Sequence, residues 1–277
     1  MTFEQILKNV IEKNASANKL FMRTAVKEEL QNFVLNFIYN DNKYNKLIFT
    51  GGTCLRKVYG LNRLSEDLDF DYDFDFDIAA FETGLLSYFV NTLQYSDLRI
   101  KVSSYKDSLF LKFPILKKFN LYKNETPEDI FLRCDISEQK AGEYKTATNV
   151  VTAGSFQFFV ISYDLSTLFS NKIAAFLERT FFKGKFQKIP FKGRDVYDLY
   201  WFLQLSARSG FNLKPNIPRL QALLNQQSTE EIKKQIKDKI VLIDEKFVYE
   251  DLLSLVESGE FIKGFKDYII NNIDLVL

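Results

Sequence analysis

The chain has no histidine among its 277 residues. That excludes a histidine general base, a Ser-His-Asp triad and any His-ligated zinc. Cysteine is nearly absent too. Cys54 and Cys134 are far apart, lack metal-type spacing and sit in apolar surroundings, so they read as buried reduced thiols rather than a disulfide. Net charge is only +1, so no global basic field advertises a nucleic-acid partner. A local basic face stays open: Lys183-Gly184-Lys185, Lys188 and Lys192 form one candidate cluster, with a solvated lysine loop as the plainer reading. No apolar run is long enough to span a bilayer, and Met1-Thr2-Phe3-Glu4-Gln5 lacks a signal-peptide layout. The expected location is the cytoplasm. There is no internal repeat and no Gly/Ser- or Pro-rich linker.

What is present is ordinary in bulk and informative in order. The chain is 46% hydrophobic and 26% charged, a globular composition able to bury a real core in one large or two modest domains. Residues 2–13 and 24–39 carry helical periodicity; in the second, Val26, Leu30, Phe33, Val34 and Phe37 share a face. A strand is expected at 46–50, a short helix at 53–59, an acidic strand after it and a helix at 78–93. Strand-like runs follow at 98–103, 109–116, 130–136 and 156–161. Beyond them the chain turns helical: 164 or 166 to 181, 195–205, 218–226, 229–240, 246–257 and 260–273. Lys183 to Lys192 reads as a polar connection containing Pro190. The expected fold class is α+β, with a mixed-sheet domain over residues 1–160 and a helical domain over 161–277.

The chemistry concentrates between residues 47 and 70. The apolar Leu47-Ile48-Phe49 leads into Gly51-Gly52-Thr53, and a glycine pair at the mouth of a helix offers backbone N–H groups to a phosphate. Thr53 can donate its hydroxyl or cap the helix. Arg63 can reach a phosphate. Asp67 and Asp69, at i and i+2 in an extended strand, fall on one face roughly 6.6 Å apart. Two such carboxylates suit magnesium, which takes oxygen ligands in near-octahedral geometry. Glu66, by alternation, points the other way. Aspartate continues at Asp71, Asp73, Asp75 and Asp77. For the last three the plainer reading is a solvated acidic strand face.

Gly51-Gly52-Thr53-Cys54-Leu55-Arg56-Lys57-Val58-Tyr59-Gly60-Leu61, followed by Arg63-Leu64-Ser65-Glu66-Asp67-Leu68-Asp69-Phe70, resembles the first motif of the AbiEii/AbiGii nucleotidyltransferases. These are bacterial abortive-infection and toxin–antitoxin toxins related to the DNA polymerase β superfamily. Lys172-Ile173-Ala174-Ala175-Phe176-Leu177-Glu178-Arg179 and Lys192-Gly193-Arg194-Asp195-Val196-Tyr197-Asp198-Leu199 resemble the family's later motifs, in the same order. The blocks span about half the chain, and Cys54 stands where a small residue such as alanine is usual.

The resemblance implies a polymerase β-like domain followed by a helical domain that contributes to the active-site cleft. It implies a magnesium-dependent, two-metal transfer of a nucleoside monophosphate from an NTP, with release of pyrophosphate. GTP is the nucleotide suggested, tRNA the first-choice RNA acceptor, and an antitoxin protein the partner. Asp67 and Asp69 become metal ligands. Asp135, the single acid in the apolar run Phe131-Leu132-Arg133-Cys134-Asp135-Ile136, becomes the candidate third ligand; a structural ion pair with Arg133 is the other reading of it. Lys172 becomes a phosphate contact, against the default of a solvent-facing helix lysine. Asp195 becomes an active-site acid, although an acid in a helix's first turn also satisfies the helix dipole. Two rival functions stay open: a small-molecule transferase resembling the aminoglycoside-modifying enzymes, and a module that binds nucleotide or a partner without turnover.

Overall fold

A computed structural model of the chain describes residues 1–116, 118–119, 129–139, 141–183, 187–189, 191–208, 210, 212–256 and 263–277. They form two compact units, Met1–Gln139 with Ala147–Ser162, and Lys140–Thr146 with Tyr163–Leu277.

The first unit is an α+β sheet domain. Helix α1 (Phe3–Lys13) opens with a capping box between Thr2 and Gln5, and α2 (Lys19–Asn40) is capped by Asn18. The strands are β1 (Ile48–Thr50), β2 (Leu68–Tyr72), β3 (Arg99–Val102), β4 (Ser108–Phe113), β5 (Ile130–Glu138), β6 (Thr146–Ala153) and β7 (Phe156–Tyr163). They make one seven-stranded sheet in the order β3-β4-β5-β2-β1-β7-β6. The sheet is mixed: β2 runs parallel to β5 and β1 parallel to β7, while β1 pairs antiparallel with β2, and β4 with both β3 and β5.

One face of this sheet is the core. Phe49, Phe70, Leu68, Cys134, Leu132, Ile136, Leu109 and Leu111 are buried there, with Phe49 and Phe70 stacked at 5.2 Å between centroids. Helix α2 buries Phe33, Val34, Phe37 and Ile38. Helix α3 (Gly51–Tyr59) follows β1 directly and ends at Gly60 in the left-handed conformation. Helix α4 (Ile78–Ser87) continues into a π-turn at Tyr88–Thr92, so the helix expected at 78–93 is two pieces.

Two expectations change here. Strand β6 was absent from the sequence reading, although Thr146-Ala147-Thr148-Asn149-Val150-Val151 is rich in β-branched residues. The acidic strand also stops early: β2 ends at Tyr72. Phe76 then packs against Tyr44, Tyr72 and Phe81, which bends the chain out of the strand. Asp77 caps α4 through the amides of Ala79 and Ala80. Alternation therefore does not align six carboxylates on one face.

The second unit holds α5 (Leu165–Glu178), α6 (Gly193–Ala207), α7 (Ile217–Leu223), α8 (Thr229–Val241), α9 (Glu245–Leu252) and α10 (Phe265–Asn272), with a hairpin of β8 (Phe181–Lys183) and β9 (Gln187–Ile189). Phe169 of α5 and Phe202 of α6 stack face to face at 4.4 Å. Arg219 of α7 is buried and donates to the carbonyl of Gly142 (2.9 Å) and to Asn171 (3.1 Å), fastening the segment that precedes β6. Residues 184–186 and 190 lie outside the described residues, and with them Gly184 and Lys185 of the proposed lysine cluster. So do residues 257 and 260–262, where two of the expected helices end and begin. Among the described residues, no helix is long and apolar enough to cross a membrane.

Candidate functional site

The register of β1, β2 and β5 puts the named residues in one row. Asp69 stands opposite Thr50 on β1 and opposite Asp135 on β5. Facing residues on paired strands share a sheet face, and adjacent strands lie roughly 4.8 Å apart. Asp69 and Asp135 are therefore neighbours on the face opposite the core. Cys134, on the core face between them, reports both charges: burial first, then Asp135 and Asp69, push its thiol well above the usual range. Cys54 and Cys134 are both buried and form no disulfide, as the sequence suggests.

Gly51 closes the site from below. Its φ is +75°, and a Cβ built there would lie 1.9 Å from Asp69 Oδ2. Only glycine admits both that backbone and that approach. A Cβ on Gly52 would meet Ser65 Oγ at 2.8 Å and the Arg63 guanidinium at 2.9 Å. Arg63 is accordingly buried, and it donates to the carbonyl of Leu64 at 2.9 Å. It is packed under the glycine turn. Thr53 is buried and donates its hydroxyl to the carbonyl of Asp67, tying the start of α3 to the residue that leads into β2. The N-cap position is Thr50, whose side chain makes no cap hydrogen bond. Glu66 pairs with Lys27 of α2 at 3.3 Å.

Asp135 is held by Arg133, with Nε 2.7 Å from Oδ1. The ion pair raised as its structural reading thus exists, alongside its place opposite Asp69. Among the described residues, no three acid or cysteine side chains are gathered tightly enough to hold a metal ion. The candidate donors Asp67, Asp69 and Asp135 are all hard oxygen, which is the chemistry magnesium prefers over zinc or copper.

The second unit has a site of its own between α5 and α6. Lys172 is not a solvent-facing lysine: its Nζ is 2.7 Å from Oδ2 of Asp198, and that carboxylate is fully buried. One helical turn pair away, Arg179 Nη1 donates to both oxygens of Asp195, at 2.8 and 3.0 Å. Asp195 is buried, whereas the Arg179 side chain is 38% exposed. The i, i+3 spacing puts Asp195 and Asp198 on one face of α6, where they meet Lys172 within α5 and Arg179 just past its last turn. Each buried acid orients a cation. Lys192 adds a third cation beside this pair. Its ammonium is shifted below the usual lysine range by burial, then by Arg194 and Arg179. The sequence reading named Lys172 and Asp195 but did not pair them with Asp198 and Arg179; the shared faces of Asp195 with Asp198 and of Lys172 with Arg179 were the available signal.

Residues 34–254 match the family model described as "Nucleotidyl transferase AbiEii toxin, Type IV TA system". No curated protein matches the chain. Among solved structures, JHP933 from Helicobacter pylori is similar at 17% identity and a TM-score of 0.49, covering 88% of this chain and 89% of that one. MenT4, a nucleotidyltransferase toxin from Mycobacterium tuberculosis H37Rv, is similar at 13% identity and a TM-score of 0.46, covering 98% and 99%.

Proposed function

This chain belongs to the AbiEii nucleotidyl transferase toxin family, and from that premise we propose that it transfers a nucleoside monophosphate from an NTP to an RNA end. A tRNA is the first-choice acceptor and GTP the first-choice nucleotide. The acceptor hydroxyl oxygen forms a bond to the α-phosphorus, the bond from that phosphorus to the bridging oxygen breaks, and pyrophosphate leaves. The hydroxyl proton goes to a carboxylate, for which Asp135 is the candidate. The observation that carries this reading is the row Thr50–Asp69–Asp135, with Asp69 closed against Gly51.

The donor chemistry of Asp67, Asp69 and Asp135 suits a hard divalent cation, and these three residues would hold magnesium once their side chains close in from the wider spread they have here. Bound there, the ion would neutralise charge on the phosphates. Gly51 and Gly52 present backbone to the triphosphate, with Arg63 and Thr53 holding the turn in shape from beneath. Lys172 and Arg179 are assigned to the nucleotide's phosphates. Asp198 and Asp195 hold them in position, so Asp195 acts through Arg179. The reaction belongs to the cytoplasm, where NTPs and tRNA are found, and a partner antitoxin opposes it.

The test is incubation of the purified chain with each labelled NTP and total RNA, with and without magnesium. Label should enter RNA with one NTP, and Asp67→Asn or Asp69→Asn should stop it. Label entering only a small cationic acceptor would replace RNA by the small-molecule reading. No label in any acceptor would leave the non-catalytic one.

A further inference from the structure

The sheet face that carries Asp69 and Asp135 continues across β5, β4 and β3, and its composition changes there. Register places Ser108 opposite Asp135, Phe110 opposite Arg133 and Lys112 opposite Phe131. On the next strand, Lys101 stands opposite Phe110 and Arg99 opposite Lys112. Arg99, Lys101 and Arg133 are exposed, and so are the two rings, Phe110 at 38% and Phe131 at 46%. Cation and ring alternate across the strands: Arg133 lies 5.7 Å from the centre of the Phe110 ring, and Lys112 lies 5.7 Å from that of Phe131. Asp129 offsets Lys112 at 2.8 Å and Asp135 offsets Arg133, which leaves Arg99 and Lys101 as the face's surplus of positive charge.

We infer that this β3–β4–β5 face binds the single-stranded end of the RNA acceptor, an assignment that rests on the RNA-transfer reading above. Aromatic rings that accept stacked bases, set among cations that track the backbone, are what single-stranded nucleic acid needs from a protein surface. The geometry also supplies a direction. The rows Lys112–Phe131, Phe110–Arg133 and Ser108–Asp135 succeed one another at a repeat of roughly 6.6 Å. An RNA end laid along them puts two bases on Phe131 and Phe110 and its terminal nucleotide at Asp135, beside Asp69. The row beyond is acidic, with Asp71 opposite Ser137, and repels further phosphate. Charge decides against a protein partner as the first occupant, since stacked rings within a cationic lattice suit a polyanion with flat bases.

The experiment measures binding of a fluorescein-labelled single-stranded RNA oligonucleotide to the full chain by anisotropy, together with transfer kinetics. Phe110→Ala with Phe131→Ala should weaken RNA binding by about tenfold or more. Arg99→Gln with Lys101→Gln should lower the slope of log affinity against log salt by about 1.4, with the KM for nucleotide within about twofold of wild type. All four side chains are exposed, so melting temperatures should match wild type, and the two variants check each other if one is perturbed. RNA affinity unchanged in both variants overturns the inference. Unchanged RNA affinity with lost capture of the antitoxin overturns it in favour of a protein partner. If both variants lose RNA binding while wild type binds RNA but transfers no label to it, the face stands and the transfer reading falls.

Discussion

Gly51 and Gly60 make a matched pair for testing the site. Both have positive φ, +75° and +77°, so alanine at either forces an L-residue into the left-handed region at about 1–2 kcal/mol. They differ in surroundings. Nothing lies within 4 Å of a Cβ at Gly60, whereas at Gly51 it would sit 1.9 Å from Asp69 Oδ2 and 2.9 Å from Asp69 Cβ. Asp69 is the second residue of β2 and is paired with a strand on each side, so its backbone has little room to yield. The side chain must rotate so that its carboxylate retreats by about 1.5 Å to ordinary van der Waals contact, and the 2.9 Å contact with Asp69 Cβ, which rotation cannot relieve, forces a further local backbone shift. A misplacement of about 1 Å at a reacting centre costs on the order of a hundredfold in rate. Gly60→Ala should therefore melt lower by roughly 2–8 °C, and Gly51→Ala, which adds the clash, by more. Gly51→Ala should lose about a hundredfold in nucleotidyl transfer, and Gly60→Ala should stay within a few-fold of wild type. The assay is initial-rate transfer with melting by circular dichroism. Transfer by Gly51→Ala at the Gly60→Ala rate would refute the argument that the glycine exists to admit Asp69.

Lys172→Met should lower stability as well as activity, because it leaves the fully buried Asp198 carboxylate without this cation. The expected loss is about 3 kcal/mol, read as urea midpoint; an unchanged midpoint would return Lys172 to the class of surface lysines. Arg179→Gln should reduce transfer more than it reduces stability, since that side chain is partly exposed and its proposed task is to face the nucleotide; an effect on stability alone would make the Arg179–Asp195 pair purely structural. Asp73→Asn with Asp75→Asn should leave transfer within a few-fold of wild type. Both are exposed and follow the end of β2, and magnesium's ligand distance of about 2.1 Å excludes residues so far along the chain from the Asp69 site. A loss as deep as that of Asp69→Asn would place the acidic run inside the site.

The parts of this molecule that local pattern controls were legible in the sequence. Amphipathic α1, the apolar three- and four-residue spacings within α2, the glycine turn after β1, and the alternation of β5 all announce themselves through period or residue type, and the α+β class follows from their order. Pairing was less legible. Nothing local says that Asp69 faces Asp135, because register is set by the hydrophobic face and by strands distant in the chain. The same limit hid the basic aromatic face, whose six side chains come from three strands. The aspartate run misled because period two continues through Asp77, while Phe76 packing with Tyr44 and Phe81 bends the chain at Asp73. Arg63 looked like a phosphate ligand by charge; only the fold shows it buried beneath Gly52.

The central claim is that the Asp69 row performs nucleotidyl transfer. Its most direct test compares wild type with Asp69→Asn and Asp135→Asn for incorporation of α-labelled NTP into purified tRNA, with release of pyrophosphate followed in the same reaction. The account predicts label and pyrophosphate in equal amounts from wild type, and neither above background from either variant, with melting temperatures close to wild type. Incorporation by Asp69→Asn at the wild-type rate would contradict it.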